Sequence, residues 1–98
     1  MYEITEDTTQ TVLTLNGSIT IENSAALKKQ LGDLDPSQDL IVRCADLEYI
    51  DSSGVACLIL AYTARSKQGA KVILQSPSEA LMRVLEILKF TAFFTIMD

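Results

Sequence analysis

Asp51-Ser52-Ser53-Gly54 is the stretch of this chain whose residue types could do chemistry. It separates the apolar Ile50 from the apolar run Val55-Ala56-Cys57-Leu58-Ile59-Leu60-Ala61-Tyr62. A serine hydroxyl in such a place can be a nucleophile, a phosphate acceptor or a helix cap. A nucleophile needs a base beside it, yet the 98 residues contain no histidine, and no Ser-x-x-Lys spacing occurs there. A phosphate acceptor needs no such base. A turn from a strand into a helix lies at the carboxyl edge of an α/β sheet. Ser53 would stand at or beside the helix N-terminus, where free backbone N–H groups and the helix dipole favour an anion. Phosphate there would add nearly two negative charges to the surface. The capping alternative is equally concrete. Asp and Ser are ordinary N-cap residues, and Gly54 could serve only to relieve the backbone. The residues by themselves leave both open. Asp51 likewise has two readings: it caps the helix or orients Ser53 by a hydrogen bond, or it helps a phosphorylating enzyme engage the hydroxyl.

The elements that must position this turn can be read from periodicity. Tyr2 and Ile4 share one face of a first strand, and Thr11 to Leu15 alternate as a second. Glu6-Asp7-Thr8-Thr9-Gln10 is expected to join them as a hairpin, and Asn16-Gly17 to form a bulge or turn. Ser24, Leu27, Leu31 and Leu34 have helical spacing, with Asn23 as N-cap and Gly32 to Pro36 as the stop. Leu40 to Ala45 reads as a central strand, and Asp46 to Asp51 as the loop after it. Ser53 to Gln68 reads as the second helix, with Val55, Leu58, Ile59 and Tyr62 as its apolar stripe and Gly69 as its end. Lys71 to Gln75 is a further strand. Ser76-Pro77-Ser78-Glu79 has the spacing of a capping box with proline at the first helical position, ahead of a helix burying Leu81, Val84, Leu85 and Leu88. Phe93 to Met97 closes the chain as a last strand.

A hairpin followed by alternating helices and strands predicts a single α/β domain over residues 1–98. Its sheet should be mixed, mostly parallel and packed by helices. The second helix is apolar on nearly all sides. Either neighbouring helices bury the remainder, or Ala56, Leu60 and Thr63 form part of a docking patch beside Ser53.

Composition narrows the function classes. The hydrophobic fraction of 48% suits a packed core, and the net charge of -5 with scattered Lys and Arg does not suit binding to nucleic acid or to an anionic membrane surface. Val55 to Tyr62 is too short to span a bilayer, so no direct membrane insertion is expected. The N-terminus has neither the basic start nor the apolar region of a signal peptide, so a cytoplasmic location is expected. Cys44 falls in a strand-like stretch and Cys57 in a helix-like one. Both are expected to be buried thiols in a reducing compartment. Without histidine, a phosphate-cradling glycine loop or a metal-ligand cluster, the chain is expected to be a substrate and not a catalyst, with no cofactor.

Asp51-Ser52-Ser53-Gly54, between Ile50 and an apolar helix, resembles the hallmark motif of the anti-sigma factor antagonists in the STAS domain family. Leu15-Asn16-Gly17-Ser18-Ile19 is similar to that family's second strand and its glycine. Leu40 to Asp46 is similar to the strand leading to the motif, and Ser76-Pro77 to Leu88 to the last long helix. The resemblance implies a STAS fold and a binding module. It implies that a partner serine kinase, the anti-sigma factor, phosphorylates the second serine of the motif, here Ser53. A phosphatase would reverse the step, and Asp51, Ser52 and Gly54 would belong to the switch loop. Two positions depart from the family pattern. Thr20 stands where many members carry an aspartate linked to partner or nucleotide interactions, and Leu88-Lys89-Phe90-Thr91 lacks a frequent Gly-Leu pair. Two other roles remain on the same sequence. One is a constitutive STAS subunit of a lipid-transport ABC complex or signalling scaffold, and the other, more distant, is a small hydrolase.

Overall fold

Leu13, Leu15 and Ile19 are buried along one strand, and that strand has a neighbour on each side in a five-stranded sheet. In this computed structural model, which describes residues 2–6 and 8–98, the strands are β1 (Tyr2–Glu6), β2 (Gln10–Ile19), β3 (Asp39–Ile50), β4 (Val72–Gln75) and β5 (Thr95–Met97). They lie in the order of the sequence. β1 pairs antiparallel with β2, and all other pairs are parallel. Helices α1 (Ile21–Gly32), α2 (Ser52–Ser66) and α3 (Glu79–Leu88) make the three crossovers. A short 3-10 turn, Thr91–Phe93, precedes β5. The fold class expected from the sequence is the one observed. Asp7, part of the expected hairpin turn, lies outside the described residues.

Each crossover steps one strand in the same direction. Right-handed connections then lay all three helices on one face. The register agrees: Leu13, Val42 and Leu74 are level with one another and buried. Their neighbours Thr14, Arg43 and Gln75 line up on the other face, where Arg43 is exposed and its Nε donates to Gln75 Oε1 at 3.3 Å. The core is therefore one layer between sheet and helices.

The main correction concerns Asp46 to Ile50, expected as loop. They continue β3, because β2 does not stop at Asn16-Gly17. Gly17 takes φ +69°, the register shifts on either side of it, and Asn16 to Ile19 go on to pair with Asp46 to Ile50. A bulge bends the ladder without ending it, and the cross-strand partner outweighs local polarity.

Helix starts also moved. Thr20, not Asn23, caps α1. Its Oγ accepts from Glu22 N at 3.3 Å, while Asn23 Oδ1 accepts from Thr20 N at 2.8 Å. At α3 the cap is Ser78, whose Oγ accepts from Leu81 N at 3.3 Å. The expected box from Ser76 to Glu79 does not form, because tertiary bonds claim the backbone first. Ser76 N donates to Met97 O at 2.7 Å and Ser78 N to Cys44 O at 3.1 Å, and Ser76 is left at φ +52°. Lys89 ends α3 at φ +62°, a left-handed position that favours glycine. Leu88, expected in the buried face, is 39% exposed and lines an open groove with Ile59 and Phe90. The expected strand from Phe93 begins only at Thr95. Phe93 instead lies between Tyr62 and Phe90, with ring centroids 5.2 and 5.5 Å away.

Both cysteines are free and buried. Burial pushes the Cys44 thiol up to about 12, which keeps it protonated and inert. Sequence reading missed Arg65, which is fully buried on α2. Its Nε donates to Gln38 O at 3.0 Å and ties the end of α2 to the segment before β3.

Candidate functional site

Ile19 and Ile50 are paired residues at the ends of β2 and β3. The next residue in each chain segment, Thr20 or Asp51, caps the helix that follows. Two helices thus begin side by side at the carboxyl edge of the sheet, where α/β folds place their sites.

Asp51 serves both. Its Oδ1 accepts from Ser53 N at 2.9 Å and Gly54 N at 3.2 Å, which caps α2. Its Oδ2 accepts from Ile21 N at 3.1 Å, the first amide of α1. Asp51 N donates back to Ile19 O at 3.1 Å. One carboxylate therefore satisfies orphan donors of two helices, which Asn or Ser could not do with the same charge. Gly54 is needed for room. A Cβ there would lie 2.7 Å from Ile50 Cγ1 and 2.8 Å from Ile19 Cγ2, so the glycine lets α2 start against the strand ends. Of the two readings of Asp51, the cap is present, and so is the hydrogen bond that orients Ser53.

The Ser53 hydroxyl donates to Asp51 Oδ1 at 2.5 Å. That bond, more than any other contact, holds the Asp51 carboxyl below its ordinary value; burial opposes it, and the amides of Gly54, Ile21 and Ser53 add to it. One expectation changes here. The amides of Ser53 and Gly54 that were to cradle a phosphate already donate to Asp51.

The two serines open on different grooves. Ser53 faces α1, in a groove of about 270 Å³ bounded by Ile21, Ala25 and Lys28 on one side and by Ala56 and Leu60 on the other. Ser52 is exposed and faces α3, in a mostly apolar groove with Val55, Ile59, Leu88 and Phe90. Ala56 and Leu60 border both grooves and form the ridge between them; Leu60 is 49% exposed. Thr63 continues the same stripe of α2 but borders neither groove, and its Oγ1 donates to Ile59 O at 3.0 Å. The structure thus gathers Asp51, Ser53, Gly54, Ala56 and Leu60, turns Ser52 to the other side, and leaves Thr63 one turn away. Sequence reading missed the far wall supplied by α1. Its signal was Ile21, an apolar residue off the Leu27-Leu31 stripe, and it is 76% exposed.

The resemblances of the chain follow the same geometry. The STAS domain profile matches residues 1–98. A solved Thermotoga maritima structure described as an anti-sigma factor antagonist is similar at 27% identity and a TM-score of 0.79, covering 100% of this chain and 85% of its own. The anti-sigma factor antagonist SpoIIAA in its unphosphorylated form shares the fold at 20% identity and a TM-score of 0.78, covering 100% and 88%. An anti-sigma factor antagonist from Mycobacterium paratuberculosis does so at 20% identity and a TM-score of 0.78, covering 99% and 84%. A sheet in sequence order, helices on one face, a serine at the head of α2 and a profile match over the full chain lead to one conclusion: this chain belongs to the STAS domain family.

Proposed function

We propose that this domain is an anti-sigma factor antagonist-like binding module, switched by phosphorylation of Ser53. In the unphosphorylated state it docks on a serine kinase-type anti-sigma factor and so frees a sigma factor. Phosphorylation by that kinase breaks the docking, and a phosphatase restores it. One observation carries the reading: a hydroxyl at the mouth of an exposed groove, beside the ridge Ala56 and Leu60. A partner seated on that ridge must desolvate Ser53, and a phosphate dianion resists burial without a paired cation.

The transfer itself belongs to the partner. The phosphoryl group leaves the nucleotide held by the kinase as the Ser53 Oγ–P bond forms, and the hydroxyl proton departs toward Asp51 Oδ1 or a base of the kinase. A carboxyl held below its ordinary value is a weak base, so Asp51 supports orientation more than proton removal. The same weakness argues against a hydrolase built on Ser53.

Affinity capture with wild type, Ser53→Ala and Ser53→Asp, followed by mass spectrometry of the partners and of Ser53, tests the proposal. Ser53→Ala should keep partner binding and abolish phosphorylation. The phosphorylated form should bind about thirtyfold to a thousandfold more weakly, an energy of about 2–4 kcal/mol. Phosphate found on Ser52 would overturn the residue assignment. Equal affinity of both forms would overturn the switch and favour the constitutive transporter or scaffold role. Turnover of an ester by the pure domain, lost in Ser53→Ala, would overturn the binding-module reading.

A further inference from the structure

Phosphorylating Ser53 brings a dianion to a place where a carboxylate already stands. Ser53 Oγ lies 2.5 Å from Asp51 Oδ1 and donates a hydrogen bond to it. A phosphoryl group takes the place of that proton and turns an attraction into a like-charge repulsion. Retreat to the helix N-terminus is closed, because the amides of Ser53 and Gly54 are held by Asp51. The phosphate must rotate away from Asp51, and its charge must be met from another direction.

The groove toward α1 also holds a cation, further along its wall. The bond from Ile21 N to Asp51 Oδ2 sets the first turn of α1 beside the head of α2. One turn on, Cys57 Sγ contacts Ser24 O at 3.3 Å and Ser53 O at 3.4 Å. Lys28 follows after another turn, on the same wall as Ile21 and Ala25 and in the same groove as Ser53. Its Cα stands roughly 10.5 Å along the axis from that of Ile21, at about 1.5 Å per residue. Helical side chains lean back toward the N-terminus, the direction in which Ser53 lies, and the four-carbon stem is long enough to bring the ammonium closer to it. Its field already reaches the neighbourhood. Burial raises the Cys57 thiol, and Lys28 is the strongest influence opposing that rise.

We propose that Lys28 is the counter-charge of phosphorylated Ser53, pairing across the groove between α1 and α2 and drawing its stem over Ala56 and Leu60. The proposal rests on Ser53 as the phosphate acceptor and adds a regulatory device to it. The pairing both stabilises the modified state and covers the ridge that the partner would occupy.

A titration separates this device from the switch. Phosphoserine is placed at position 53 during translation, so no kinase is needed, and the phosphate is followed by phosphorus NMR in wild type, Lys28→Met, Lys28→Arg and Lys29→Met. A nearby ammonium holds the dianion and lowers the second pKa of the phosphate. Lys28→Met should therefore raise it by about half a pH unit, about threefold in proton affinity. Lys28→Arg should restore the wild-type value and Lys29→Met should leave it unchanged, and the difference should shrink in about 1 M salt. Identical titration of wild type and Lys28→Met would overturn the pairing, as would an equal effect of Lys29→Met. Failure of the switch has a different signature: equal partner affinity of the two forms while the titration still responds to Lys28.

Discussion

Asp51 concentrates several demands on one side chain. It caps α2, accepts the first amide of α1 and holds the Ser53 hydroxyl. Its carboxyl is held below the ordinary value chiefly by that hydroxyl. The sign of the pH effect follows. A group whose pKa is lower in the folded state stabilises fully above its unfolded value of about 3.9, and the contribution fades as pH falls through the lower folded value. Asp51→Asn keeps the cap shape and loses the charge. We expect it to be less stable than wild type at neutral pH, with the gap narrowing steadily below about pH 4. Urea denaturation of both proteins across that range measures the gap, and a gap independent of pH would mean that the charge of Asp51 does not contribute. At the same scale, Gly54 was legible as a special position for a reason that proved incomplete. Its role is the close approach of α2 to Ile19 and Ile50, a contact between distant parts of the chain.

At the scale of elements, α2 does two jobs with opposite faces. Val55, Leu58 and Ala61 face the core, while Ala56 and Leu60 face outward between the grooves. The sequence shows a helix apolar nearly all round, and periodicity cannot say which part of such a surface is covered. Here α1 covers part, α3 and Phe90 approach the other side, and the ridge stays free. Leu60→Asp tests the ridge. Because Leu60 is 49% exposed, its replacement should cost only about 1–2 kcal/mol of stability and leave the domain folded. Partner affinity should fall at least about tenfold, as expected for an apolar anchor near the centre of an interface. Calorimetric titration beside thermal unfolding reads both. Undiminished affinity would move the docking surface elsewhere.

The whole molecule is uneven in the strength of its sheet. β2 and β3 pair over nearly their full lengths, from Gln10 with Asp39 to Ile19 with Ile50. β5 pairs with β4 at three positions, and all three of its residues are exposed. Amide protection should follow that gradient. Hydrogen exchange is expected to be slowest at Leu13, Val42 and their neighbours, near the limit of global unfolding, and orders of magnitude faster at Ile96 and Met97. Protection of β5 equal to that of β3 would contradict this picture. The uneven sheet also places the site. Asp51 and Thr20 stand at the end of the longest ladder, so the head of α2 rests on the most firmly paired part of the fold.

Local periodicity was enough to determine that strands and helices alternate, that the sheet is mixed and mostly parallel, and that a small polar turn leads into an apolar helix. These are properties of neighbouring residues, and spacing of two, three and four positions encodes them directly. Capping chemistry was legible only as a set of candidates. Asn23 and Ser76 had suitable types and spacing, yet Thr20 and Ser78 became the caps. In α3, bonds to Cys44 and Met97 far along the chain decided where the backbone could turn. Asp46 to Ile50 became strand because β2 ran past its glycine and offered a partner. The site divides in the same way. The Asp51-Ser52-Ser53-Gly54 turn was visible in the sequence, whereas the wall of Ile21, Ala25 and Lys28 that faces it was not. Those residues lie 25 or more positions away and meet Ser53 only because β2 and β3 end side by side. Right-handed crossovers then start both helices on the same face, and that juxtaposition exists only in the tertiary structure.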